Sequence, residues 1–144
     1  MSYKLSPSSI NLFLECPRCF WLQLVKGIKR PEGIFPSLPS GMDKILKAHF
    51  DSYAEKGTLP PEISAHGLKN GYQLFSDKKT LDIWRSNFKG ITYTDKTSGV
   101  LLRGAVDNIL TNGKKLIVLD YKTRAFPLKE DTNTHYQTKM DVYN

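Results

Sequence analysis

Apolar residues recur at helical spacing through the first part of this chain and in strand-like alternation after about residue 90. Ser6-Pro7-Ser8-Ser9 suits a helix start, with Ser6 as N-cap and Pro7 at the first helical position. Ile10, Phe13 and Leu14 give that helix an apolar stripe, and Pro17 is expected to break it near Glu15-Cys16. A second helix is expected through Phe20, Trp21, Leu22, Leu24 and Val25. Residues 30–41, with three prolines and Gly41, read as a loop. Met42, Ile45, Leu46, His49, Phe50 and Tyr53 then follow the i, i+3, i+4, i+7 pattern, which turns His49 inward. A turn and short linker from Gly57 to Pro61 end that helix.

A third helical region is predicted over 79–88, with Leu81, Trp84 and Phe88 on one face. Trp21, Trp84 and Phe88 read as core. Strands are predicted over 91–94, 100–110 and 115–122. A loop containing Pro127 leads to a last helix marked by Tyr136, Met140 and Tyr143. The order predicts one domain over 1–144: a mainly helical part over 1–89, then a β-meander plus helix over 90–144. Its class is α/β or α+β, a small mixed sheet flanked by helices. A meander followed by one helix normally wants a further strand, so the domain reads as C-terminally incomplete.

Asn112-Gly113 between two apolar runs is a strong hairpin signal. With those two residues at the centre of the turn, Asp107 pairs with Val118, and Asp120 and Lys122 share its face. Asp107 and Asp120 are then diagonal neighbours, roughly 7–8 Å apart at Cα. Both faces of the hairpin are partly apolar, as in strands covered on both sides. Two carboxylates brought together on such a surface repel unless a cation sits between them, and the lysine beside them completes a site for a divalent metal and a phosphate. Solvated surface charges are the plainer alternative.

The 144 residues carry a net charge of +7, which favours a polyanionic partner, nucleic acid first and anionic membrane second. No apolar run is long enough to span a bilayer and no charged leader opens the chain, so a cytoplasmic protein is expected. Cys16 and Cys19 form Cys-Pro-Arg-Cys. A redox pair, half a metal site and two small buried residues are the readings open to it, and burial is favoured because no second cysteine pair exists.

Gly104-x-x-Asp107, then Asp120-Tyr121-Lys122, then a helix ending in a tyrosine resembles the PD-(D/E)XK nuclease superfamily. The RecB-like branch, which includes the CRISPR-associated adaptation exonucleases, is similar also in Leu5-Ser6-Pro7-Ser8-Ser9 and Cys16-Pro17-Arg18-Cys19-Phe20. The resemblance implies a restriction-endonuclease-like core and Mg2+- or Mn2+-dependent hydrolysis of DNA, with exonuclease-like processing of ends. It implies Asp107, Asp120 and the main-chain carbonyl of Tyr121 as metal ligands, and Lys122 as the residue that orients water.

The chain departs from that branch in three places. Ile45 stands four residues after Gly41, where a metal-binding histidine is usual, and His49 lies one turn further on as a shifted candidate. Lys139 replaces the glutamine of Gln-x-x-x-Tyr ahead of Tyr143; both become candidate DNA contacts, as does Arg103. An iron–sulfur cluster is not supported, and Cys16 or Cys19 would become candidate ligands only if the chain continued. A catalytically inactive nucleic-acid-binding or scaffold module on the same fold is the competing expectation.

Overall fold

The computed structural model describes residues 3–33, 37–65, 71–123, 127, 130 and 132–144. They form a mixed α+β fold with six helices and two three-stranded sheets. The helices are α1 (Pro7–Glu15), α2 (Pro17–Lys26), α3 (Ser37–Glu55), α4 (Pro61–Ser64), α5 (Lys78–Arg85) and α6 (Thr132–Tyr143). The strands are β1 (Lys4–Leu5), β2 (Gln73–Leu74), β3 (Ile91–Thr94), β4 (Leu101–Gly104), β5 (Asn108–Thr111) and β6 (Leu116–Leu119).

Local chemistry explains the helix boundaries. The Ser6 side chain accepts from Ser9 N, Ser9 Oγ closes the reciprocal bond to Ser6 N, and Pro7 follows at the first helical position. Pro17 ends α1 and opens α2, with Cys16 as the cap between them. The predicted loop over 30–41 is partly corrected: α3 already begins at Ser37, and Pro39 sits in its first turn, where a missing N–H costs nothing. Residues 34–36 lie outside the described residues, as do most neighbours of Pro127 in the predicted loop before α6.

One sheet has the order β1-β4-β3, with β1 parallel and β3 antiparallel to β4; the other has the order β2-β5-β6 and is antiparallel throughout. The expected single sheet is thus two. The expected continuous strand over 100–110 is also two, because three side or main chains seize the backbone between Gly104 and Asn108. Tyr143 Oη donates to the Ala105 carbonyl at 2.6 Å, Val106 N donates to the Trp84 carbonyl at 3.2 Å, and Arg85 Nε donates to the Asp107 carbonyl at 2.8 Å. Groups bonded this way are unavailable to a ladder, so the chain leaves one sheet and enters the other.

The core lies where α3 and α4 cover the second sheet. Phe50, Ile63, Leu74 and Leu110 are buried together, with Ile117, Leu119 and Tyr121 packed against them. Phe50 and Tyr121 stack with centroids 4.6 Å apart. The expected helix over 79–88 is shorter. α5 ends at Arg85, and Phe88 lies beyond it, 88 % exposed. Trp21 is exposed too, at 49 %, so of the three aromatics read as core only Trp84 packs inward, against Phe75. Ile45 is 62 % exposed, although its stripe neighbours Met42 and Leu46 are partly buried. Among the described residues, no helix is long and apolar enough to cross a membrane.

Candidate functional site

The β5–β6 hairpin differs in register from the sequence expectation by one step of the turn. Asn112 N donates to Lys115 O, so Gly113 and Lys114 are the central residues instead of Asn112 and Gly113. Gly113 has φ of 82°, and no described non-glycine residue has positive φ. A positive φ at the first central position alone is the type II′ arrangement, which glycine there permits. The Asn112 side chain tightens it by accepting from Lys114 N and Lys115 N at 3.1 and 2.8 Å. Asn108 therefore pairs with Leu119 at the end of the ladder and Val118 pairs with Ile109, so Asp107 and Asp120 lie just past the last paired residues and Asp107 does not pair with Val118. The shift is an even one, so within the ladder each strand keeps the same residues on each face.

Asp107 is held from both ends. One carboxylate oxygen accepts the Tyr121 main-chain N–H at 2.8 Å, and the other lies 3.4 Å from Lys47 Nζ on α3. Lys47 also pairs with Asp43 one turn earlier, at 2.7 Å. The carbonyl of Asp107 is fixed by Arg85, which clasps Asp51 through its two terminal nitrogens at 3.0 and 2.7 Å. Sequence reasoning missed Lys47, Asp51 and Arg85; the charged i, i+4 pair Asp43–Lys47 was the one local signal available.

Asp120 is the most enclosed charge of the group, with its side chain 6 % exposed. Its two oxygens are taken by two ammonium groups, Lys122 on one and Lys139 on the other. Burial pushes the Asp120 carboxyl up, but the two lysines outweigh that and hold it below the ordinary carboxylate value. Lys122 Nζ also donates to the Tyr121 carbonyl at 3.1 Å and lies 5.5 Å from the centre of the Tyr136 ring. Tyr143, one turn after Lys139, completes the group. Burial raises its hydroxyl pKa, the Lys139 charge opposes that, and the charges of Asp120 and Asp107 add to it.

Asp107, Asp120, Tyr121, Lys122, Lys139 and Tyr143 are thus brought together. Arg103 bonds the Phe88 carbonyl at 2.7 Å and lines, with Ser6, Ser8, Asn11, Asn87 and Lys139, an open cavity of about 530 Å³. His49 does not point into the core as expected. It is partly exposed, lies 3.3 Å from a carboxylate oxygen of Glu62 on α4, and its ring meets Phe50 edge-on and Tyr53 at a tilt. Among the described residues no three His, Cys, Asp or Glu side chains gather as a metal cluster. The donors available are two carboxylates and the Tyr121 carbonyl. These hard oxygens fit Mg2+ or Mn2+ in kind, and three lysines, Lys47, Lys122 and Lys139, already pair with the two carboxylates.

Cys16 and Cys19 are half-buried free thiols at the junction of α1 and α2, where small core residues were expected. The stub of chain around them is the start of a helix, and Cys16 caps it, which keeps its sulfur at the surface of the turn.

No family model, no curated protein and no solved structure matches this chain.

Proposed function

We propose that the chain is a metal-dependent deoxyribonuclease of the PD-(D/E)XK type, built on a restriction-endonuclease-like core, that hydrolyses phosphodiester bonds, with Asp107, Asp120 and Lys122 as its catalytic residues. The observation that carries this reading is the buried Asp120 carboxylate, bracketed by Lys122 and Lys139 just past the end of the β5–β6 ladder, with Asp107 just before its start. Asp107, Asp120 and the Tyr121 carbonyl would hold Mg2+ or Mn2+, which when bound polarises the phosphoryl oxygen and acidifies water.

The protein's own groups do the rest. The Lys122 ammonium, resting between Asp120 and the Tyr121 carbonyl, is placed to orient the attacking water and to offset negative charge growing on the phosphate. Lys139, one turn before Tyr143, offers a point charge to a neighbouring phosphate. Arg103 and the polar wall of the adjoining cavity extend this basic surface along a DNA strand. DNA is the partner that the net charge of +7 suits.

The second reading is a non-catalytic DNA-binding module, and one observation favours it: two ammonium groups already neutralise Asp120. Linear single- and double-stranded DNA, incubated with the protein and Mg2+, separates the two. Cleavage that disappears in Asp120→Ala and in chelator, while DNA binding persists, supports the nuclease. Salt-sensitive binding by the wild type without cleavage in Mg2+ or Mn2+ overturns it in favour of the module.

A further inference from the structure

Cys16 and Cys19 take no part in the site above, yet their surroundings are unlike those of two packed thiols. The sulfurs lie 2.9 Å apart. Cys16 is the N-cap of the ten-residue α2, and its sulfur accepts the Cys19 main-chain N–H at 3.3 Å. The Arg30 guanidinium, paired with Glu15 at 3.1 Å, faces both sulfurs from the segment that follows α2. Both residues are only half-buried, so a small molecule can reach them. The Cys19 thiol, the Cys19 N–H and Arg30 together hold the Cys16 thiol below its ordinary value.

We infer that Cys16 and Cys19 form a reactive dithiol that exchanges with low-molecular-weight disulfides, Cys16 being the attacking sulfur and Cys19 the resolving one. Cys16 as thiolate attacks one sulfur of the small disulfide, forms a mixed disulfide and releases the first small thiolate. The Cys19 thiolate then attacks the Cys16 sulfur, closes the Cys16–Cys19 bond and releases the second. The protein loses two electrons and two protons; the small disulfide gains them and leaves as two thiols. A pair in the first turn of a helix, three residues apart with sulfurs already touching, needs little backbone movement to close. Arg30 stabilises the thiolate of the attacking form and loses that partner on oxidation.

The test is to treat the reduced protein with excess glutathione disulfide, quench with an alkylating agent and map the products by mass. The wild type is expected to lose two hydrogens, keep no glutathione and resist alkylation at both positions. Cys19→Ser is expected to trap one glutathione on Cys16. Cys16→Ser keeps a good capping residue and is expected to react slowly. Within the Cys19→Ser background, Arg30→Gln should slow alkylation of Cys16 by roughly threefold or more. Two alkylatable thiols remaining in the wild type, or glutathione retained on both sulfurs, would overturn the proposal. So would trapping of glutathione on Cys19 in Cys16→Ser as fast as on Cys16 in Cys19→Ser.

Discussion

Arg85 reaches from the end of α5 to the main-chain carbonyl of Asp107, 2.8 Å away, while its other nitrogens clasp Asp51 on α3. One side chain therefore ties two helices to the backbone of a candidate ligand. Arg85 is 10 % exposed, so the ion pair is shielded from water on its cationic side. Arg85→Lys is expected to destabilise the protein by about 1–3 kcal/mol, because an ammonium cannot serve three acceptors in the plane that a guanidinium spans. Urea unfolding measures it. A change within error would show that the clasp contributes nothing to stability.

Gly104 sits against the ring of Tyr143. A Cβ there would lie 2.7 Å from Tyr143 Oη and 2.8 Å from Cζ. Gly104→Ala must then push α6 away from the Ala105 carbonyl, at a cost of about 1–3 kcal/mol. Tyr143→Phe loses the 2.6 Å hydrogen bond but not the packing, and is expected to cost about 1 kcal/mol. Thermal melts of the two variants should rank in that order.

The Asp120 and Asp51 carboxyls are both held low in the folded protein, against burial, by lysine and arginine neighbours. Their folded pKa values lie below the ordinary 3.8 of the unfolded chain. The unfolded state therefore binds more protons in the window just below that value, and stability falls there as pH falls. The contribution is fully present above the unfolded value and is lost as pH drops through the folded one. Asp120→Asn combined with Asp51→Asn should be less stable near neutrality and show a shallower acid decline. Asp77, Asp95 and Glu62, held low by local hydrogen bonds, keep some slope in that variant. An unchanged acid limb in urea titrations from about pH 6 to about pH 3 would contradict the assignment.

The Tyr121 hydroxyl is buried and, among the described residues, has no hydrogen-bond partner of ordinary geometry; burial pushes its pKa up and the nearby Asn108 side chain opposes this. Tyr121→Phe removes an unpaired polar atom while keeping the ring on Phe50. The variant is expected to be as stable as the wild type or up to about 1 kcal/mol more so. A clear loss of stability would reveal a partner for the hydroxyl.

The N-terminal helices were legible because their signals are local: Ser6, Pro7 and Pro17 act within one turn of themselves. The pairing of the two apolar runs that became β5 and β6 was legible for a similar reason, since Asn112-Gly113 is a local turn signal. The slip of register was not, because Asn112-Gly113 allows the turn to centre on either residue pair and the Asn112 side chain decides. The break between β4 and β5 was invisible as well. Its causes, Trp84, Arg85 and Tyr143, come from about twenty to forty positions away and act through main-chain atoms that sequence patterns do not describe. Ile45, Trp21 and Phe88 misled because apolar periodicity gives a direction, and says nothing of whether another element waits there.

The turn at Gly113 lies several residues from either aspartate, yet it sets the register of the two strands that lead to them. Removing one residue from it would turn the side chains of one strand to the opposite side of the ribbon, whereas moving its centre by one place, as Asn112 does, slides one strand along the other by two residues and leaves every side chain on its own side. Which residues of the two runs meet is thereby written into a bend that touches neither acid.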